Sequence, residues 1–233
     1  IVYYFSAALK VGAPERAVSF SVPTGNFGDI YAGFLAKRIG LPIKQLVVAT
    51  NSNDILHRFI NGNEYSTTDL NHTLSPSMDI LVSSNFERYL FDLFDRDAEM
   101  LRTFMSKLGQ ESQQVSDDKW QQMRECFSSA RVDDALTCET IAKVFSDTGK
   151  LVDPHTAVGI RAARECNADP STPMITLSTA HPAKFSDAIN KAGLNTPELP
   201  AHLTGLFEKE EHYSVVENDL AAVTEFVTKH SHS

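Results

Sequence analysis

The chain has 233 residues, 42% of them hydrophobic, and sets 21 Lys and Arg against 30 Asp and Glu for a formal net charge of -9. That length and apolar content can bury one large core or two modest ones without a disulfide or metal staple. The acidic balance, with no cluster of Lys and Arg, excludes nucleic acid and acidic membrane surfaces as partners, because counterion release needs concentrated positive charge. Cys126, Cys138 and Cys166 are odd in number, widely spaced and outside any Cys-x-x-Cys or Cys-x-x-His context. Reduced thiols in a cytoplasmic protein are therefore expected, not a disulfide framework or a zinc site. No apolar run reaches the roughly 18 residues of a membrane helix, so no membrane span is expected, and the first residues show no basic region followed by a cleavage site, so no targeting segment is expected among them.

In chain order, Ile1-Val2-Tyr3-Tyr4-Phe5 is an apolar run without a capping Ser, Thr, Asp or Asn. It reads as a helix entered partway, and upstream chain is expected to be missing. Apolar, β-rich runs then alternate with helical patterns: a strand over Ala17 to Val22, a helix over Ile30 to Ile39, a strand over Gln45 to Ala49 and a helix over Asp54 to Ile60. This β-α-β-α order predicts an α/β fold, a parallel sheet flanked by helices and joined by right-handed crossovers. A further short strand is expected at Asp79 to Val82.

Ser84-Asn85 caps a helical pattern in which Phe86, Leu90, Leu93, Met100, Leu101, Phe104 and Leu108 recur near a 3.6-residue period. Gly109 to Lys119 is polar and reads as a loop before a helix around Trp120 to Phe127. Residues 84–135 are accordingly expected to form a helical insertion between two parts of the α/β domain, 1–83 and 136–233. Next come a helix over Cys138 to Asp147 with Gly149 as its C-cap, and a helix over His155 to Glu165 that Asp153 caps and Pro154 opens. A strand follows over Pro173 to Ser178, then Thr179-Ala180-His181-Pro182 and a helix closed by Gly193. The tail holds a run at Gly205 to Glu208, a short Tyr213 to Val216 segment and an amphipathic helix over Asp219 to Val227.

The strand ending at Val22-Pro23 runs through Thr24-Gly25-Asn26-Phe27-Gly28 straight into a helix beginning near Asp29. A helix N-terminus offers unpaired N–H groups and a positive dipole end, so this junction suits an anion. Gly25 and Gly28 can take positive φ and bare the backbone, letting several N–H groups meet one phosphate. The loop has no Lys and so is not a nucleoside triphosphate cradle, and it lacks the third Gly of a dinucleotide loop. A backbone-only grip suits a phosphate that anchors a cofactor and is not transferred. Asp29 would repel a dianion and is expected to face away as a cap. Taken alone, a Gly-x-x-Gly turn is more often a plain structural connection.

The loop does not stand alone. Thr24 to Gly33, Asn51-Ser52-Asn53-Asp54, Ser83-Ser84-Asn85-Phe86-Glu87-Arg88 and Thr179-Ala180-His181-Pro182-Ala183-Lys184-Phe185 together closely resemble threonine synthase. The likeness spans most of the chain and falls on the C-terminal half of that family's longer chain. It implies a tryptophan-synthase-β-like fold and an enzyme dependent on pyridoxal 5'-phosphate (PLP) that converts O-phosphohomoserine and water to threonine and phosphate. On the family pattern, Gly25, Asn26, Phe27 and Gly28 bind the cofactor phosphate and the Thr179 hydroxyl meets the pyridine nitrogen. The Schiff-base lysine of the family lies in a Phe-Lys-Asp segment of the N-terminal half, and none of the eleven lysines here has that context. No catalytic residue is therefore expected in this chain, and the missing N-terminal portion is expected to supply it, along with most of the substrate-phosphate contacts.

Each of these residues also has a plain structural reading. Thr179 can be a helix N-cap, and His181 a local hydrogen-bonding group. His155 fits a helix start. Asn51, Ser52, Asn53, Ser84 and Asn85 can simply cap the helices that follow them, while Glu87, Arg88 and Lys184 fit surface or ion-pair positions. Two other functions stay open: a PLP-dependent lyase acting on a different amino acid, and a non-catalytic module that binds a phosphorylated ligand.

Overall fold

The computed structural model describes residues 1–231 and divides into two compact units, Ile1–Pro197 and the residues from Glu198 onward. The first unit runs α1 (Val2–Lys10), β1 (Val18–Pro23), α2 (Gly28–Arg38), β2 (Ile43–Thr50), α3 (Ile55–Gly62), α4 (Phe86–Leu93), α5 (Ala98–Ser106), α6 (Asp117–Arg124), β3 (Phe127–Arg131), α7 (Asp134–Thr148), α8 (Pro154–Cys166), β4 (Met174–Thr176) and α9 (Ser186–Lys191). Four strands form one sheet in the order β3-β2-β1-β4, and every pairing is parallel.

Because β1 and β2 lie in the middle of a parallel sheet, both of their faces must be covered, and both strands are buried over most of their length, the two serines of β1 included. On one face Val18, Phe20, Val22, Leu46 and Val48 join the main core with Tyr4 of α1, Ile30 and Ala36 of α2, and Leu56, Phe59 and Ile60 of α3. On the other, Val47, Ala49 and Ala130 pack on Val158 and Ala162 of α8. Helix α8 lies close to the sheet because Gly159 has no side chain. A Cβ there would stand 2.9 Å from Thr176 Cγ2 and 3.1 Å from Pro23 Cγ. The same closeness lets Ser21 Oγ donate to the Gly159 carbonyl at 2.7 Å.

Two expectations need correction. The segment 84–135 is not wholly helical, since Phe127–Arg131 is strand β3, paired in register with β2 from Leu46↔Phe127 to Thr50↔Arg131. Phe127 and Ala130 are buried there while the residues between them are half-exposed, a strand pattern hidden by a Ser-Ser pair with low β propensity. Nor do residues 136–233 form one body, because the chain from Glu198 folds as its own unit.

Smaller departures have local causes. The apolar period over Phe86 to Leu108 is carried by two helices. Asp95 and Arg96 take positive φ (54° and 67°), and Asp97 then caps α5 by accepting from the N–H groups of Glu99 and Met100. Asp79 to Val82 forms no strand. The Asp79 carboxylate instead accepts from Asn51 Nδ2 (2.8 Å), Asn53 Nδ2 (3.0 Å), Thr73 Oγ1 (2.7 Å) and Thr73 N (2.9 Å), tying the loop 71–79 to the end of β2. The α8 start agrees with the expected Asp153 cap and Pro154, and Gly149 closes α7 with φ 69°.

In the second unit, α10 (Leu220–His230) is capped by Asp219, which accepts from the N–H of Ala222. Tyr213 to Val216 forms no strand, and Tyr213 and Val215 are exposed. Among the described residues no helix is long and apolar enough to cross a membrane.

The contact at Gly159 makes a direct prediction. Gly159→Ala pushes α8 off β1 and β4, and denaturant unfolding of the variant should show a loss of about 1–3 kcal/mol despite alanine's better helix propensity. A gain in stability would mean that the close approach is not enforced.

Candidate phosphate and cofactor site

Helix α2 begins where β1 ends, and the turn between them is held by a buried ring. Phe27 is 1% exposed, with its ring against Phe86 (centroids 5.0 Å apart), Phe127 (5.5 Å) and Tyr89 (6.0 Å). Its backbone is left-handed, with φ 62°. For a non-glycine residue that costs roughly 1–2 kcal/mol. Burying the phenyl ring yields about 1.5–3 kcal/mol, and each aromatic pair adds about 0.5–1.5 kcal/mol, so packing outweighs the strain.

This alters the expected role of the glycines. Neither Gly25 nor Gly28 has positive φ, and Phe27 takes the left-handed turn instead. Gly25 is needed for space: a Cβ there would lie 2.9 Å from Met78 Cα and 3.3 Å from the Ser77 carbonyl oxygen. A Cβ at Gly28 would lie 3.3 Å from Asn85 Nδ2. Residues 83–85 lock the loop from outside. Ser83 Oγ donates to the Gly25 carbonyl (2.9 Å), Asn85 N to the Asn26 carbonyl (3.2 Å), and Ser84 N and Oγ both donate to Asn26 Oδ1 (2.7 Å each).

The result is a cavity of about 300 Å³ lined by Gly25, Asn26, Phe27, Gly28, Thr179 and, among others, Ser77, Met78, Asn85 and His155. It sits beyond the carboxyl ends of β1 and β4, where open α/β sheets place ligands. Larger cavities lie along Arg38, Asp92 and Arg96 between α2 and α4, but there both arginines are ion-paired to Asp92. Among the described residues no acceptor takes the backbone N–H groups of residues 25–30, and no side chain caps α2. Any helix start leaves some of these donors unpaired, but here the three loop residues before it are unpaired as well. No Lys or Arg lines the cavity.

Asp29 lines the same cavity but forms no cap hydrogen bond. Tyr4 Oη donates to the Asp29 carbonyl oxygen (2.9 Å) and to Oδ1 (3.2 Å), and burial holds the Asp29 carboxyl above the usual carboxylate range. That makes the group easier to neutralise beside an anion.

Thr179 stands at the far side, three residues past β4, with its N–H donating to Thr156 Oγ1 (3.2 Å) and its hydroxyl unengaged among the described residues. His155, 4% exposed, fills the wall between. Its Nε2 accepts from the backbone N–H of Ser77 (3.2 Å), so that nitrogen carries no proton, and Nδ1–H donates to Asp153 Oδ1 (2.9 Å). Asp153 is fully buried. Burial alone would raise its carboxyl, but hydrogen bonds from His155 and Thr156 outweigh this and hold it below the ordinary range.

The five residues expected to bind the cofactor are thus brought to one cavity. His155 joins them as more than a helix start. Sequence reading missed Ser77, Met78 and Thr156, which reach the site only through the loop 71–79 and the α8 turn. The hydroxyl two residues beyond the Asp153-Pro154 start was a signal present in the chain. His181 is local, with Nδ1 accepting from the Ala183 N–H (3.2 Å). Asn51 and Asn53 hold Asp79, and Arg88 lies over the Tyr31 ring, 4.3 Å from its centroid.

Comparison with known proteins follows the same lines. Residues 156–227 match the family model "Threonine synthase, C-terminal". Threonine synthase from Pseudomonas aeruginosa is 58% identical over 99% of this chain and 50% of its own length. The crystal structure of a PLP-bound threonine synthase from Brucella melitensis superposes with a TM-score of 0.92 at 49% identity, covering 100% of this chain and 50% of that one. The yeast enzyme superposes with a TM-score of 0.86 at 37% identity, over 97% of this chain and 50% of its own. The chain spans about half the length of the curated relatives it matches.

Two predictions arise from the geometry. Phe27→Ala removes the ring that holds the left-handed turn and should cost about 3–5 kcal/mol in chemical denaturation, with phosphate affinity falling in the same variant. Asp153→Asn should lower stability at neutral pH. Because the native Asp153 carboxyl titrates below its unfolded value, its contribution is full above about pH 4 and is lost as pH falls through the native value. The stability gap between parent and variant therefore closes in acid, and a gap that stays constant from pH 7 to pH 2 would exclude this role.

Proposed function

This chain belongs to the threonine synthase family, matching the C-terminal half of its longer members, and on that premise we propose that it is the phosphate-gripping half of a PLP-dependent threonine synthase. The reaction is the conversion of O-phosphohomoserine and water to threonine and inorganic phosphate. The observation that carries the reading is the row of backbone donors over residues 25–30, without acceptors among the described residues, along a cavity where a Gly25 Cβ would run into Met78 and Ser77.

The donor set fits the cofactor. A phosphate monoester dianion at the head of α2 gains the helix dipole and several N–H hydrogen bonds without requiring a cation. Gly25, Asn26, Phe27 and Gly28 hold the phosphate through their backbone N–H groups, and Ser84, by donating to Asn26 Oδ1, fixes the amide whose Nδ2 is a further donor. Thr179 offers its hydroxyl to the ring nitrogen, a neutral partner that leaves the nitrogen largely unprotonated. When bound, PLP supplies an electron sink for charge developing on the substrate carbons. His155, neutral and with its proton on Nδ1, forms the wall between the two ends of the cofactor.

The lysine for covalent attachment and most of the contacts to the substrate phosphate belong, on the family resemblance, to the half that this chain does not match. By itself the chain grips PLP without turning over substrate.

Thermal-shift titration tests the grip. PLP should raise the melting temperature and pyridoxal should not, with a stabilisation of about 2.7 kcal/mol at a ligand concentration a hundred times Kd. In Gly25→Ala the PLP effect should vanish, because the Cβ enters the space between the loop and Met78. Equal shifts from PLP and pyridoxal, or a larger shift from an unrelated phosphorylated metabolite, would replace the cofactor reading with that of a phospho-ligand module. Phosphate release from O-phosphohomoserine by this chain alone would place the catalytic lysine within it.

A further inference from the structure

One buried carboxylate, Asp153, stands behind two walls of the cavity, at Ser77 and at Thr179. Asp153 Oδ1 accepts from the backbone N–H of His155 (3.0 Å) and from His155 Nδ1 (2.9 Å). Asp153 Oδ2 accepts from Thr156 Oγ1. Each recipient passes the constraint on. Through Nε2, His155 takes the N–H of Ser77 (3.2 Å), fixing the segment whose backbone faces Gly25. Thr156 Oγ1 directs its hydrogen at Asp153 and so turns a lone pair outward, which accepts from the N–H of Thr179 (3.2 Å). None of Asp153, His155 and Thr156 belongs to the phosphate loop, and all three are buried. Such a fully satisfied network resists displacement, because breaking one arm strands a buried polar group.

We propose that Asp153 and Thr156 are positioning residues for the ring end of the cofactor: Asp153 holds the Thr156 hydroxyl, and through it the two residues set the place of Thr179. This rests on the reading of the cavity as a PLP grip. Loss of the Thr156 arm acts on the ring end through Thr179 and leaves the phosphate end, built by α2 and residues 83–85 and backed by Ser77, as it was. A residue serving only to start α8 would have no such one-sided effect.

The test uses the full chain and the nearly isosteric Thr156→Val, with Thr156→Ser as the conservative control. The first readout needs no ligand: amide hydrogen exchange at Thr179 should quicken about three- to tenfold in the valine variant and stay near the parent rate in the serine variant. The second compares PLP with inorganic phosphate. PLP affinity should fall by a similar three- to tenfold in Thr156→Val, the pH profile of bound-cofactor absorption should shift, and phosphate affinity should not change. Unchanged Thr179 exchange in Thr156→Val, or equal loss of PLP and phosphate affinity, overturns the proposal. A parent chain that binds neither ligand refutes the grip itself, and the exchange measurement alone then decides whether Thr156 positions Thr179.

Discussion

The site depends on the burial of Phe27. A ring placed among Phe86, Tyr89 and Phe127 fixes where the loop after β1 must turn, and the left-handed backbone at Phe27 follows from that placement. With the side chain anchored inward, the main chain of residues 25–28 is left on the cavity side, and its N–H groups find no partner among the described residues. The loop is thus preorganised by hydrophobic packing, and a ligand need not supply the energy to shape it. The same ring links the loop to α4 and to β3, elements more than 50 residues away in the chain.

Two carboxylates organise the rest. Asp79 gathers Asn51, Asn53 and Thr73 and so sets the course of the loop 71–79, whose residues Ser77 and Met78 close over Gly25. Asp153 gathers His155 and Thr156 and sets the opposite wall. The wall between phosphate loop and Thr179 is therefore held from both sides by acceptors that are themselves satisfied, the condition under which buried polar groups rigidify a site. Neither acid needs to touch the ligand to shape its cavity.

The parallel sheet places these parts in one region. With β1 and β4 adjacent, Pro23 and Thr176 end on the same edge, bringing Thr24 to Gly28 and Thr179 together across about 150 residues of sequence. Gly159 allows α8 to lie against both strands, which puts the Asp153 turn beneath that edge. A bulkier residue at Gly159 would move Thr156 away from Thr179 as well as loosening the core.

The sequence alone was enough to read the elements whose causes are local: the β1 to α2 junction, the Asp153-Pro154 start of α8, the Gly149 end of α7 and the parallel character of strands separated by helices. Caps, turn residues and periodicity act within a few residues, so they are visible along the chain. The resemblance of separated segments also marked Gly25, Asn26, Phe27, Gly28 and Thr179 before their proximity was known. Tertiary structure decided what depends on distant partners. Phe127–Arg131 is a strand because β2 lies beside it, Asp79 sits in a tied loop because Asn51 and Asn53 reach it, and the glycine at 25 is demanded by Met78 and not by its own φ. Ser77 and Thr156 reach the cavity walls for the same reason: packing and hydrogen bonds between remote segments select one conformation among those that local propensity leaves open.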